Sequence, residues 1–199
     1  KSLLKKAVAI KVNGVQRDLC DLISQDSDIS ILTTENEEGL EIMRHTIAAQ
    51  VLAKAIKNLY PNAKLAIGPT IENGFYYDVL FEKPISSEDL PVIEEEMKLI
   101  ISKGEIIGKS LKSKSEVLQM FKNIGENYKV QIIKDSDQKE NFQIYQQQNS
   151  KFFDLCRGPH LPNLKLVGSF KLTKLAGAYW RGDSSNEMLQ RIYGTAWAN

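Results

Sequence analysis

Over residues 37–59 the apolar positions Leu40, Met43, Ile47, Val51, Leu52, Ala55, Ile56 and Leu59 recur at the 3.6-residue period of a helix, and Pro61 stops the run. Thr34 and Glu37 have the spacing of a capping box at its start. One long helix with a single apolar stripe must be covered by other elements, and the rest of the chain supplies them. Helices are predicted over residues 87–103, with stripe Val92, Ile93, Met97, Ile100 and Ile101, and over residues 115–124, closed by Gly104 and Gly125 respectively. Residues 7–12, the Asn13-Gly14 turn and Val15 onward read as a hairpin, and residues 28–32 as a further strand. Residues 75–80, 128–133 and 151–156 read as strands, and residues 164–179 as strands joined at glycines. The polar, Gln-rich residues 135–150 read as a long surface loop. Helices that do not alternate strictly with strands predict an α+β fold, with a mainly antiparallel sheet packed by helices.

Composition narrows the class. A content of 42% hydrophobic and 26% charged residues in 199 suits one ordinary domain plus a small one. A net charge of +1 argues neither for nor against a nucleic-acid partner. Locally, residues 155–182 contain no Asp or Glu, yet carry Arg157, Lys165, Lys171, Lys174 and Arg181 among Phe170, Tyr179 and Trp180. Such a stretch can hold phosphates and stack on unpaired bases; the plainer alternative is a solvated basic face. Cys20 and Cys156 lie far apart and suggest no disulfide framework, so a reducing, cytoplasmic setting is expected. No apolar run reaches membrane-spanning length, and no membrane partner is expected. Lys1 does not read as a native start, which suggests a chain cut from a longer protein.

The residues able to carry chemistry are few. The only histidines are His45, early on the long helix, and His160, four residues after Cys156 in a Gly158-Pro159 turn. An imidazole can activate water and a thiol can attack or bind metal; equally, Cys156 can be a small core residue and His160 can satisfy a turn. Asp154 lies two residues before Cys156 and so shares its face of a strand, unless it caps a turn. Lys129 at a strand opening and Tyr77 within a strand have ordinary alternatives as a solvated end and a packing aromatic.

Three stretches resemble bacterial threonyl-tRNA synthetases in order and spacing: Glu38-Gly39-Leu40-Glu41-Ile42-Met43-Arg44-His45, Ile67-Gly68-Pro69 leading to Glu72-Asn73-Gly74-Phe75-Tyr76-Tyr77-Asp78, and Asp154-Leu155-Cys156-Arg157-Gly158-Pro159-His160. The ending, from Ala176-Gly177-Ala178-Tyr179-Trp180-Arg181 to Arg191-Ile192-Tyr193-Gly194-Thr195-Ala196-Trp197, is as close. The resemblance implies that residues 1–33 are a partial, ubiquitin-like TGS domain and residues 34–199 an editing domain. It implies as partner the acceptor end of tRNA for threonine, carrying wrongly attached serine on its terminal adenosine. It assigns catalytic roles to His45, Lys129, Cys156 and His160, and substrate-binding roles to Tyr77, Asp154 and Gln50. No cofactor or metal is expected for this region. ATP, zinc and homodimer contacts are expected of a synthetic core that this chain lacks.

The sequence departs from the family at one place. The family shows His-x-x-x-His on the first helix. Counted forward from His45 the second histidine falls on Ala49, and counted backward from Leu52-Ala53 it falls on Gln50. One extra residue is present, to be absorbed either by a π-bulge or by a displaced His45. A zinc site built from both motifs lacks one ligand in either register. Two readings follow: an ester hydrolase acting on seryl-tRNA, and a non-catalytic module that holds the acceptor end with a degenerate pocket.

Overall fold

The structure is a computed structural model and describes residues 2–199; Lys1 lies outside the described residues. After a short helix α1 (Ser2–Lys6), strands β1 (Ala7–Val12) and β2 (Val15–Arg17) form the expected hairpin, and β3 (Ile29–Thr33) pairs with the other edge of β1. Asn13 and Gly14 take φ of 50° and 81°, as the hairpin turn demands.

The long helix is present, with a change of winding inside it. It starts as α2 (Glu37–Thr46), widens to a π-helical segment over Ile47–Leu52, and resumes as α3 (Ala53–Leu59). At the junction the Ala53 N–H reaches back five residues to the Ala48 carbonyl. The extra residue is thus wound into one wide turn, so the apolar faces before and after it both meet the core. The expected capping box is not what starts the helix. Asn36 is the N-cap, its side chain accepting from the Gly39 N–H, and Glu37 turns instead to the buried Arg44, 2.7 Å away.

Strands β4 (Lys64–Leu65), β5 (Thr70–Ile71) and β6 (Gly74–Leu80) follow, then a single 3₁₀ turn and α4 (Leu90–Ser102). Strand β7 (Ile107–Lys112) leads to α5 (Lys114–Asn123) and α6 (Asn127–Asp135). The latter was expected to be a strand. Its β-branched residues read as one, but Tyr128, Lys129, Val130 and Ile133 are buried with helical spacing. Glu126 pins its start, accepting from the Leu65 N–H and pairing with Lys57.

The expected loop over 135–150 contains a strand, β8 (Phe142–Gln147), which pairs with β7 on one side and β9 (Phe153–Leu155) on the other. Its glutamines disguise it: Gln147 is fully buried, accepting from Lys54 Nζ and donating to the Gln50 carbonyl. After a 3₁₀ turn at Leu164–Leu166, β10 (Ser169–Tyr179) runs as one long strand through Gly177 rather than breaking at glycines, and β11 (Met188–Trp197) returns beside it.

The architecture is α+β. One sheet has the order β10-β11-β6-β4 with β5 on β6, and every pairing is antiparallel. The long helix and α4 bury their stripes against it: Ile47, Val51, Leu52 and Ile56 meet Phe75, Tyr77, Val79 and Ile192 in one core, which also takes in Val8, Ala9 and Leu32 of the first sheet. Helices α5 and α6 cover the β7-β8-β9 sheet with a second core around Phe121, Ile133 and Ile144. Among the described residues, no helix is long and apolar enough to cross a membrane.

Candidate active site

A cavity of about 970 Å³ opens where the long helix, β6, α6 and β9 converge. His45, Ala49, Tyr77, Lys129, Asp154 and Cys156 all line it. Helix α2 delivers His45 within its last turn, β6 delivers Tyr77, α6 delivers Lys129, and β9 with the turn after it delivers Asp154 and Cys156.

Two groups of polar side chains line this space. In the first, Lys129 Nζ lies 2.8 Å from Asp154 Oδ1, and Tyr77 donates its hydroxyl proton to Asp154 Oδ2 at 3.0 Å. Lys129 Nζ also sits 5.7 Å from the centre of the Tyr77 ring. The three residues are at most 5% exposed. Burial, and the neighbouring Asp154 charge, push the Tyr77 hydroxyl well above its usual pKa, so it stays a donor.

In the second group, His45 Nε2 lies 2.6 Å from Cys156 Sγ, and the Gly158 N–H donates to the same sulfur at 3.2 Å. Burial lowers the His45 pKa from 6.5, against the opposing pull of Asp154. His45 is therefore a neutral imidazole near pH 7, able to accept a proton.

His160 stands behind this pair rather than on the cavity wall. It is 2% exposed and stacks on His45 with ring centres 4.8 Å apart and planes 13° apart. Thr46 fixes its tautomer. The Thr46 hydroxyl donates its single proton to the Ile42 carbonyl, so the contact at 3.1 Å has His160 Nδ1–H donating to Thr46 Oγ1. The other ring nitrogen, Nε2, is buried without a partner. Donor atoms of His45, Cys156 and His160 lie within 4.8 Å of one another, the compass of a three-ligand metal site with a position to spare.

The extra helical residue decides the register left open by the sequence. Ala49 faces the cavity, whereas Gln50 is fully buried outside it, its amide N–H 3.5 Å from the Tyr145 carbonyl and its side-chain oxygen unpartnered. The wide turn carries Gln50 toward β8, so its expected place in the pocket is corrected. The basic stretch is also rearranged. Trp180 is a core residue against Tyr128, with its N–H given to Gln131; Lys171 pairs with Glu94, Lys174 lies over Tyr193, and Arg181 pairs with Asp135. Arg157 and Arg181 remain on the cavity's rim.

Two participants were not anticipated. Thr46 adjoins His45 but gives no signal of its own. Asp18 lies in the first β unit, and its carboxylate accepts from the His160 backbone N–H across 142 positions of sequence.

Residues 143–193 match the family described as the threonyl and alanyl tRNA synthetase second additional domain. That stretch thus matches a domain of aminoacyl-tRNA synthetases, and it holds Asp154 and Cys156 on the cavity wall and His160 behind them. Over 200 residues the chain is also 50% identical to the threonine–tRNA ligase of Parvibaculum lavamentivorans, a match that covers 100% of this chain and 30% of that protein. The chain is thus similar along its whole length to a threonine–tRNA ligase, and it spans 30% of the length of that curated relative.

Proposed function

We propose that this chain is the proofreading region of a threonyl-tRNA synthetase and hydrolyses the ester of serine wrongly joined to tRNA for threonine. Serine lacks one methyl of threonine, a difference worth only about 1–3 kcal/mol in a binding pocket, so a second, hydrolytic site is needed for accuracy. The observation that carries the reading is that one cavity is lined both by a neutral His45 at Cys156 and by the buried Lys129–Asp154–Tyr77 group.

In this reading the His45–Cys156 edge holds the attacking water and takes its proton. Asp154 occupies one of the three Lys129 N–H groups, and another stabilises the oxyanion formed when water adds to the ester carbonyl. Collapse of that intermediate breaks the ester bond, and the ribose hydroxyl of the terminal adenosine leaves with the returned proton. Asp154 also receives the serine ammonium, Tyr77 lines the adenosine side, and His160 acts through its stack on His45. Residues 34–199 form the hydrolytic unit and residues 1–33 a partial TGS-like unit. ATP, the threonine-binding zinc and dimer contacts belong to the rest of the full-length protein.

One observation favours a second reading. Ala49 offers only a methyl group where the family's histidine is expected, which suits a module that holds the acceptor end without hydrolysing it. Deacylation of seryl-tRNA bearing the threonine acceptor, set beside a gel shift on the same RNA, separates the two. The hydrolytic reading expects serine release, and a loss on the order of a hundredfold in Lys129→Ala. Binding with release no faster than the buffer blank contradicts it. Activity that survives a chelator fits a metal-free pocket; activity abolished by the chelator and restored by zinc gives the His45–Cys156–His160 cluster to an ion.

A further inference from the structure

Asp18 carries a carboxylate from the first three-stranded unit to His160, behind the pocket. It sits just after β2 and is 6% exposed. Its two oxygens take three donors from the rest of the molecule: Oδ1 accepts the His160 N–H at 2.9 Å, while Oδ2 accepts the Tyr145 hydroxyl at 2.6 Å and Lys109 Nζ at 3.0 Å. Asp21 holds the arrangement from behind, binding Lys109 Nζ at 2.6 Å and accepting from the Asp18 N–H at 3.3 Å.

The consequence reaches the reacting groups. The Tyr145 ring lies edge-on to the His160 ring with centres 4.4 Å apart, so Asp18 holds both the backbone beneath His160 and the aromatic beside it. His160 in turn stacks on His45, whose Nε2 meets Cys156. The turn between Cys156 and His160 is laid directly on the same pair. Gly158 has φ of 60°, and a Cβ there would fall 1.9 Å from the Tyr145 hydroxyl oxygen and 3.4 Å from Asp18 Oδ2. A carboxylate suits this position because three donors converge on it, each on an acceptor oxygen.

We infer that Asp18 is a positioning residue of the pocket: the first β unit sets the geometry of the His45–Cys156 edge through Tyr145 and His160. The role rests on the proposed hydrolytic reading for its activity readout alone. Its second readout, the rate at which iodoacetamide alkylates Cys156, needs no tRNA.

The test uses residues 1–199 with Cys20→Ser throughout, leaving Cys156 as the single thiol. Asp18→Ala, Asp18→Asn and the remote core variant Ile100→Ala are compared, the last serving as a control for lost stability. Asp18→Ala is expected to lower kcat for serine release at least about tenfold with KM nearly unchanged, since misplaced catalytic groups cost rate rather than binding. It is also expected to change the alkylation rate several-fold. Asp18→Asn, which keeps an oxygen for the His160 N–H, recovers part of both, and Ile100→Ala moves neither beyond its loss in Tm. If Asp18→Ala behaves as Ile100→Ala does, or loses kcat while Cys156 alkylates at the parent rate, the inference is overturned. If no variant, the parent included, releases serine but Asp18→Ala still alters alkylation, the hydrolytic reading fails and the positioning role stands.

Discussion

At the scale of single residues the site depends on charges held out of water. Lys129 and Asp154 are each nearly inaccessible and face each other at 2.8 Å. Removing one partner strands the other, so Lys129→Met is expected to destabilise the fold by about 3–5 kcal/mol. Adding Asp154→Asn removes the stranded charge and should restore part of that loss. Thermal melts of both variants check this; equal melting temperatures would mean that the carboxylate is not isolated by the first substitution.

His45 gives a second prediction at this scale. Burial holds its folded pKa below 6.5, so the unfolded chain binds this proton more tightly than the folded one. Its contribution to stability is complete above about pH 6.5 and is lost as pH falls through the folded pKa. Between about pH 7 and pH 5 the wild type should lose more stability than His45→Gln, which has no proton to take up. Parallel losses in denaturant titrations would show that His45 is not a buried neutral base.

At the scale of elements, the π-helical segment explains how one extra residue is accommodated without rotating either helical face off the core. Deleting Ala49 should let the helix close with ordinary four-residue spacing and turn Gln50 toward the cavity. Amide exchange across 47–52 should then slow, as each added helical hydrogen bond contributes about 1 kcal/mol. Faster exchange would mean that the wide turn is held by its surroundings, among them the Gln147 side chain on the Gln50 carbonyl.

The helices were legible in proportion to their periodicity. The 37–59 run is apolar at every expected turn, whereas α6 is short and rich in β-branched residues, which imitate a strand. Strand β8 was hidden because Gln147 is a buried polar residue whose partners, Lys54 and Gln50, lie more than ninety positions earlier. The same limit applies within the site. The Asp-x-Cys-x-x-x-His segment could be read because its members are neighbours in sequence. Asp18 could not, because its role consists wholly of contacts made after folding.

At the scale of the whole molecule, the cavity forms at the meeting of two cores. The long helix and β6 belong to the first, and β9 and α6 flank the second, so His45 and Tyr77 arrive from one side and Lys129 and Asp154 from the other. The wall formed by Tyr77, Lys129 and Asp154 is set by packing, which suits discrimination by size, while loop residues 136–141 form another flank. The most direct measurement of the central claim is the single-turnover rate at which this chain hydrolyses seryl and threonyl esters of the same tRNA. Hydrolytic proofreading requires that the seryl ester be cleaved much faster than the threonyl ester, with the advantage lost in His45→Ala. Equal rates for the two esters, or a seryl rate indistinguishable from spontaneous hydrolysis, would contradict it.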